Sequence, residues 1–137
     1  MTKKLPRGLR NNNPGNIRVS KDNWLGKIPA DKKKDKDFEE FSSMAHGYRA
    51  LIKNLQNYHL IHKLNTVEQF INRWAPPVEN NTKGYIDRVC KDLKVQPSFE
   101  VDVFSKKIMC KLAASISSIE NGVPAVIADI EAGFDIL

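Results

Sequence analysis

The stretch Ser118-Ile119-Glu120-Asn121-Gly122 carries an apolar-periodic helix into a glutamate and then stops it at a glycine. A carboxylate there faces the negative end of the helix dipole, where lysine or arginine would be the stabilising choice. Such a setting, with some burial, is expected to lift a carboxyl toward the proton-donating range that a general acid requires. Glycoside cleavage is one chemistry that uses a protonated carboxyl beside a leaving oxygen. The competing reading is a surface glutamate on a last turn, with Asn121 and Gly122 forming a left-handed cap.

A second group lies far upstream, in Arg10-Asn11-Asn12-Asn13-Pro14-Gly15-Asn16-Ile17-Arg18. Its amides and free backbone N–H groups could meet sugar hydroxyls and acetamido groups, or satisfy themselves as Asx turns. Proline presets one φ and glycine permits a positive one, so the spacing predicts a turn at Asn13 to Asn16. Trp24 sits in a polar, irregular stretch and is the better stacking candidate, whereas Trp74 follows Phe70 and Ile71 at helical spacing and reads as core. Glu79, Asn80 and Thr82 precede a helix start, where acids and amides serve as caps, and Tyr85 follows as a further aromatic candidate. Glu39 and Glu40 alternate with Phe38 and Phe41 as in a half-buried strand, and either of them, or Glu79, could be a second carboxylate. His46, His59 and His62 form no triad pattern, and no serine elbow or phosphate-binding glycine loop is present.

These residues need elements to hold them. Residues 1 to 45 are irregular, with short extended pieces expected at Asn16 to Val19 and Phe38 to Phe41. From His46 the period becomes helical: Tyr48, Leu51, Ile52, Leu55, Tyr58 and Ile61 mark a helix over 46–62. Thr66 and Gln69 predict a capping box for a second helix ending near Trp74, before Pro76-Pro77. Asn81 or Thr82 should cap a third, carrying Tyr85, Ile86, Val89, Cys90 and Leu93. Asp102 is the expected cap of a fourth, with Phe104, Ile108, Leu112, Ile116 and Ile119 on its buried face. Pro124 suits the first turn of a last helix stopping at Gly133. The expected fold class is mainly α, with a small irregular or β N-terminal lobe.

With 137 residues, 41% hydrophobic and 28% charged, the chain fits one domain, 1–137, with a single core. A net charge of +6 and a pI near 9.4 favour an anionic partner such as nucleic acid, an acidic membrane face or the cell wall. The Lys32-Lys33-Lys34-Asp35-Lys36 run is interrupted by acid and reads as a solvated loop. No basic face interleaved with aromatics is evident, so nucleic acid is not expected. Cys90 and Cys110 fall in separate predicted helices and read as buried thiols, although a disulfide is compatible with the spacing. Neither is paired with histidines at metal-ligand spacing, and no metal or cofactor is expected. Met1 to Gly8 lacks an apolar signal-peptide core and no run reaches membrane-spanning length. The expectation is synthesis in a cytosol, with no membrane insertion, and access to any outside target by lysis, injection or carriage on a particle.

Asn12-Asn13-Pro14-Gly15-Asn16-Ile17, Trp24-Leu25-Gly26, Phe38-Glu39-Glu40-Phe41-Ser42-Ser43 and Gly47-Tyr48-Arg49-Ala50 together resemble the middle of bacterial cell-wall glucosaminidases and other lysozyme-like enzymes. The run from Gly8 to Val95 is also similar to a group of small phage and prophage proteins. They share an Arg-Gly-x-Arg-Asn-Asn-Asn-Pro-Gly-Asn-Ile-Arg pattern followed by Arg-Trp-Ala-Pro-Pro-x-Glu-Asn-x-Thr, here Arg73 to Thr82. In lysozyme-like enzymes the catalytic glutamate ends a helix that precedes the Asn-Gly turn. Here the turn comes first, and the matching helix, Lys111 to Gly122, lies toward the other end of the chain. The resemblance therefore implies a circularly permuted lysozyme-like fold whose C-terminal helix returns Glu120 to the Asn12-to-Ile17 loop.

On that resemblance the chain is expected to be a monomeric enzyme cleaving peptidoglycan glycan strands, as a lysozyme or a lytic transglycosylase. Glu120 is the expected catalytic acid, with Asn13, Gly15, Asn16, Ile17, Trp24, Glu79, Asn80 and Tyr85 as substrate-binding candidates. The alternative is a non-catalytic phage or effector protein that keeps the fold and binds glycan.

Overall fold

The computed structural model describes residues 5–137, and the first four residues of the basic N-terminal segment lie outside the described residues. Among the described residues the chain is mainly α, with six α-helices, one 3-10 turn at Ala30–Lys32 and no β-strand. The helices are α1 (Arg7–Arg10), α2 (Met44–Leu60), α3 (Val67–Trp74), α4 (Thr82–Leu93), α5 (Lys106–Asn121) and α6 (Ile127–Asp135). None is long and apolar enough to cross a membrane.

Local chemistry explains most helix ends. The Ser43 hydroxyl accepts from His46 N–H and starts α2. Thr66 and Gln69 form both halves of the capping box of α3, which ends at Trp74 before the two prolines. Asn81 caps α4 by accepting from Gly84 N–H. Five expectations are corrected. α5 is capped by Ser105, which accepts from Ile108 N–H, while Asp102 closes its own small turn onto Phe104 N–H. The later start takes Phe104 off the buried stripe and leaves it 69% exposed. Ile61 lies beyond the last turn of α2 and is likewise exposed. Pro124 precedes α6 by three residues, and Gly133 sits within that helix rather than ending it, where a Cβ would press on Tyr48 and Arg49 of α2.

Helix α2 is the central element. Its buried face, Tyr48, Leu51, Ile52 and Leu55, joins Phe70 and Ile71 of α3, Val89 of α4, and Met109, Leu112 and Ile116 of α5 in one apolar core. α2 packs on α6 and α5, and α5 on α4. Two polar ties cross this core: Tyr48 Oη to Ser117 Oγ at 2.8 Å, and Gln56 Nε2 donating to Val103 O at 2.8 Å. Both cysteines are free; Cys90 is buried and Cys110 half-buried.

The N-terminal lobe is built differently. The expected extended pieces meet only as isolated antiparallel bridges, Arg18 with Phe38 and Lys27 with Phe41. The ring of Phe38 lies under two guanidinium groups, Arg7 at 4.3 Å and Arg18 at 5.0 Å. In the asparagine-rich loop the positive φ values belong to Asn12 (51°) and Asn16 (50°), not to Gly15. Asparagine tolerates that region because its short amide can bond locally. Gly15 is needed for closeness instead: a Cβ there would stand 3.1 Å from both Leu51 and Trp74. At Gly47, on the first turn of α2, a Cβ would overlap the Asn12 carbonyl, so this glycine lets the loop rest against the helix. The basic run is also more ordered than a solvated loop. Asp35 within it accepts two bonds from Arg7 at 2.6 Å and one from Asn11 at 2.9 Å.

Candidate active site

Glu120 occupies the last turn of α5, half-buried, and Gly122 closes the helix in the left-handed conformation at φ 71°. Its neighbour Asn121 is buried and joins the two parts of the molecule. The Asn121 amide donates to Pro14 O and to Ser117 O, each at 2.9 Å. The end of α5 is thereby tied to the asparagine-rich loop, 107 residues earlier in the chain.

That tie places the Glu120 carboxyl against the loop and α4. Asn16 Nδ2 donates to Oε1 at 3.3 Å, and Tyr85 Oη donates to Oε2 at 2.9 Å. Trp74 Nε1 in turn donates to Tyr85 Oη at 3.0 Å. An indole N–H can only donate, so the phenol oxygen accepts from Trp74 and its proton points to Glu120. Burial, and next the nearby Glu120 charge, raise the Tyr85 phenol well above its ordinary pKa. Tyr85 therefore stays protonated at physiological pH and is a fixed donor that orients the carboxyl.

The carboxyl opens on a cleft of about 360 Å³. Gly15, Asn16, Ile17, Glu79, Asn80 and Glu120 all line it, so most of the candidates converge on one cavity. Three candidates lie differently, of which Tyr85 reaches the site through its bond to Glu120 without lining the cleft. Asn13 is fully buried, and its amide is spent inside the loop on Ile17 N–H, Ile17 O and Glu39 O at 2.9 to 3.0 Å. It shapes the loop and presents no polar atom to the cleft. Trp24 lines a second depression of about 510 Å³, which shares Asn54 and Tyr58 with the first.

The three other carboxylates considered for a second acid separate clearly. Glu39 is fully buried in the N-terminal lobe and paired with Lys27 at 3.1 Å. Glu40 accepts from the backbone N–H groups of Lys34 and Asp35 at 2.7 Å, on a different face. Glu79 alone of the three lines the cleft with Glu120. Among the described residues no three His, Cys, Asp or Glu side chains group as a metal site would require.

Sequence reasoning missed Trp74, Asn54, Arg18 and Phe38 as lining residues. Helical spacing assigns Trp74 to the core, yet its ring lies between Gly15 and Tyr85, half-buried beside Glu120. The signal that could have found it was its place in Arg73-Trp74-Ala75-Pro76-Pro77, at a helix end, where part of a side chain is left uncovered by the next turn. The amide of Asn54 on α2 carries no such signal, because an isolated polar residue on an amphipathic helix reads as solvent-facing.

No family model matches the chain. It is 34% identical over 133 residues to Protein P5 of Pseudoalteromonas phage PM2, an alignment covering 94% of this chain and 80% of that protein. The name of that protein specifies no activity. An alignment of this identity and extent takes in both the loop side and the helix side of the cleft, and the chain belongs to the family of Protein P5 of phage PM2.

Proposed function

We propose that the chain is a circularly permuted, lysozyme-like domain spanning 1–137 that cleaves peptidoglycan glycan strands, with Glu120 as general acid. One observation carries this reading: a carboxyl at the end of α5 meets Asn16 of the asparagine-rich loop at 3.3 Å, across 104 residues of sequence, at the wall of an open cleft. Asn16 and Tyr85 fix the carboxyl from two sides. Each carboxyl oxygen has room for a further proton while it accepts, so either can present an acid proton to the cleft. That proton passes to the glycosidic oxygen as its bond to the anomeric carbon breaks. Water, or the sugar's own 6-hydroxyl, then adds to the anomeric carbon and returns a proton to Glu120. Hydrolysis through an activated water has Glu79 as its candidate second carboxylate. Formation of an internal anhydro sugar needs no second acid. A phage origin for the family fits action on the wall after lysis, during injection or from a virion.

A second reading, glycan binding without turnover, draws on one feature. Both Glu120 oxygens already accept bonds from the protein, as those of a structural carboxylate would. Turbidity clearing of purified peptidoglycan by wild type and Glu120→Gln separates the two. Loss of turnover by about 10²- to 10⁴-fold with glycan binding retained is expected of a general acid. Mass spectrometry of the fragments then names the reaction from hydrated or anhydro ends. Undiminished clearing by Glu120→Gln would remove Glu120 as the acid, and no clearing by wild type on several wall types would sink the enzyme reading.

A further inference from the structure

The depression next to the Glu120 cleft has a charge pattern that a neutral sugar does not require. Arg49 and Lys53, one turn apart on α2, face it together with Arg73 from α3, while Asp22 is its one acidic lining residue. Among the described residues none of these three cations meets a carboxylate. Arg73 is held rather than free: its guanidinium lies 5.4 Å from the Tyr58 ring centre and donates to His62 Nε2 at 3.2 Å. Arg49 is braced by donating from Nε to Ile136 O at 2.9 Å, which leaves its terminal nitrogens available. Among the described residues Lys53 makes no side-chain hydrogen bond and no ion pair. Like charges gathered in a concavity focus a positive potential, and they repel one another unless an anion sits among them. Asn54 and Tyr58 line both depressions, so whatever fills this one continues directly from whatever lies beside Glu120.

We propose that this basic depression is a subsite for carboxylates carried as substituents on the glycan strand, so that the chain distinguishes acidic wall glycan from neutral polysaccharide of the same backbone. The inference rests on the glycan-cleaving reading for its ligand class, but its test does not require turnover. Two wall sources offer the same chemistry: the carboxylates of attached stem peptides, and the lactyl carboxylates left when those peptides are removed. Trp24, which lines the depression, supplies aromatic surface for the apolar parts of either substituent.

The experiment is equilibrium binding of soluble fragments to protein carrying Glu120→Gln, with and without Lys53→Glu or Arg73→Gln. Three probes are used at one chain length: peptide-bearing muropeptides, amidase-stripped muropeptides with free lactyl groups, and neutral chito-oligosaccharide. At least one carboxylate-bearing probe is expected to bind roughly tenfold more tightly than the neutral one, as two or three exposed charge contacts would give. The probe showing the larger preference identifies the source. Raising the salt concentration should erode that preference, and Lys53→Glu should abolish it while leaving the neutral probe's affinity unchanged. Arg73→Gln should reduce it in part. Equal affinity for neutral and acidic probes, or a preference untouched by both substitutions, overturns the proposal. So does tighter binding of a single-stranded oligonucleotide than of either muropeptide. Absence of turnover by the wild type would end the glycosidase reading without altering this binding comparison.

Discussion

The N-terminal lobe and the helical body stabilise themselves by different means, and the candidate site lies on the seam between them. In the body, from α2 onward, the buried residues are overwhelmingly apolar and the helices share one core. In residues 5 to 43 the only buried hydrophobic side chain with substantial bulk is Phe41, beside the buried polar Asn13 and Glu39. That lobe is ordered by specific hydrogen bonds and ion pairs: Asn13 inside its loop, Asp35 with Arg7, and Glu39 with Lys27. Burial of apolar area is tolerant of detail, whereas hydrogen-bonded loops depend on each partner being present. A loop built from directional bonds can hold Asn16 at a fixed place beside Glu120, and a helical body can hold Tyr85 and Glu120 rigidly across from it.

The comparison can be broken most severely in the body. Ile71→Ala should cost about 2–5 kcal/mol, read as a lower midpoint in denaturant unfolding followed by far-ultraviolet circular dichroism. Loss below about 1 kcal/mol would mean the core is not the main source of stability. In the lobe, Asn13→Ala leaves Ile17 N–H and Glu39 O without partners and should cost about 1–3 kcal/mol. Its signature should be local: hydrogen exchange should quicken at the Glu39 and Phe41 amides, which donate to Ile17 O and Asn11 O, while amides of α5 stay protected. Uniform loss of protection would show that lobe and body unfold as one unit.

On the seam, Tyr85→Phe removes the hydroxyl that joins Trp74 to Glu120 and little else. Stability should change by no more than about 1 kcal/mol, the net value of a hydrogen bond. Any glycan cleavage should fall by about 10- to 100-fold as the carboxyl loses its orientation. A large stability loss with unchanged turnover would make Tyr85 a structural residue only.

The smallest effect is expected from acid. The Arg7 guanidinium, aided by Asn11, holds the Asp35 carboxyl well below the usual carboxylate range. Because the folded pKa is depressed, the contribution is fully present above the unfolded value of about 4 and declines as pH falls below it. Lobe amides should therefore lose exchange protection from about pH 4 downward, before the helices do. Arg7 is partly exposed, so high salt should shrink the difference.

Much of the helical body was legible residue by residue. The capping box at Thr66 and Gln69, the stop before Pro76-Pro77 and the apolar stripe of α2 are local patterns, and local patterns survive in a sequence read alone. The errors were local competitions as well: Ser105 outcompeted Asp102 as a cap, and Phe104 fell outside the helix it was assigned to. Glu120 was legible as a carboxylate at odds with its helix terminus, and the asparagine-rich loop as a turn. Which asparagine does what was not. Asn13, Asn16 and Asn121 are the same residue type, yet one is consumed by its own loop, one reaches Glu120 and one ties the loop to α5. Trp74 does pack against the core, as its spacing indicates, but its exposure to the cleft was missed, since helical spacing gives a side chain's direction on its own helix and not what packs over it.

The sequence by itself determined helices α2 to α6, the caps of α3 and α4, the turn at residues 13 to 16 and the presence of an unusual glutamate, because each depends on neighbours a few residues away. Only the tertiary structure decided that Asn16 and Glu120, 104 residues apart, face each other across a cleft, and that Glu79 rather than Glu39 or Glu40 shares it. Those facts depend on how α2, α4 and α5 pack and on the Asn121 tie to Pro14, long-range contacts that no local pattern encodes.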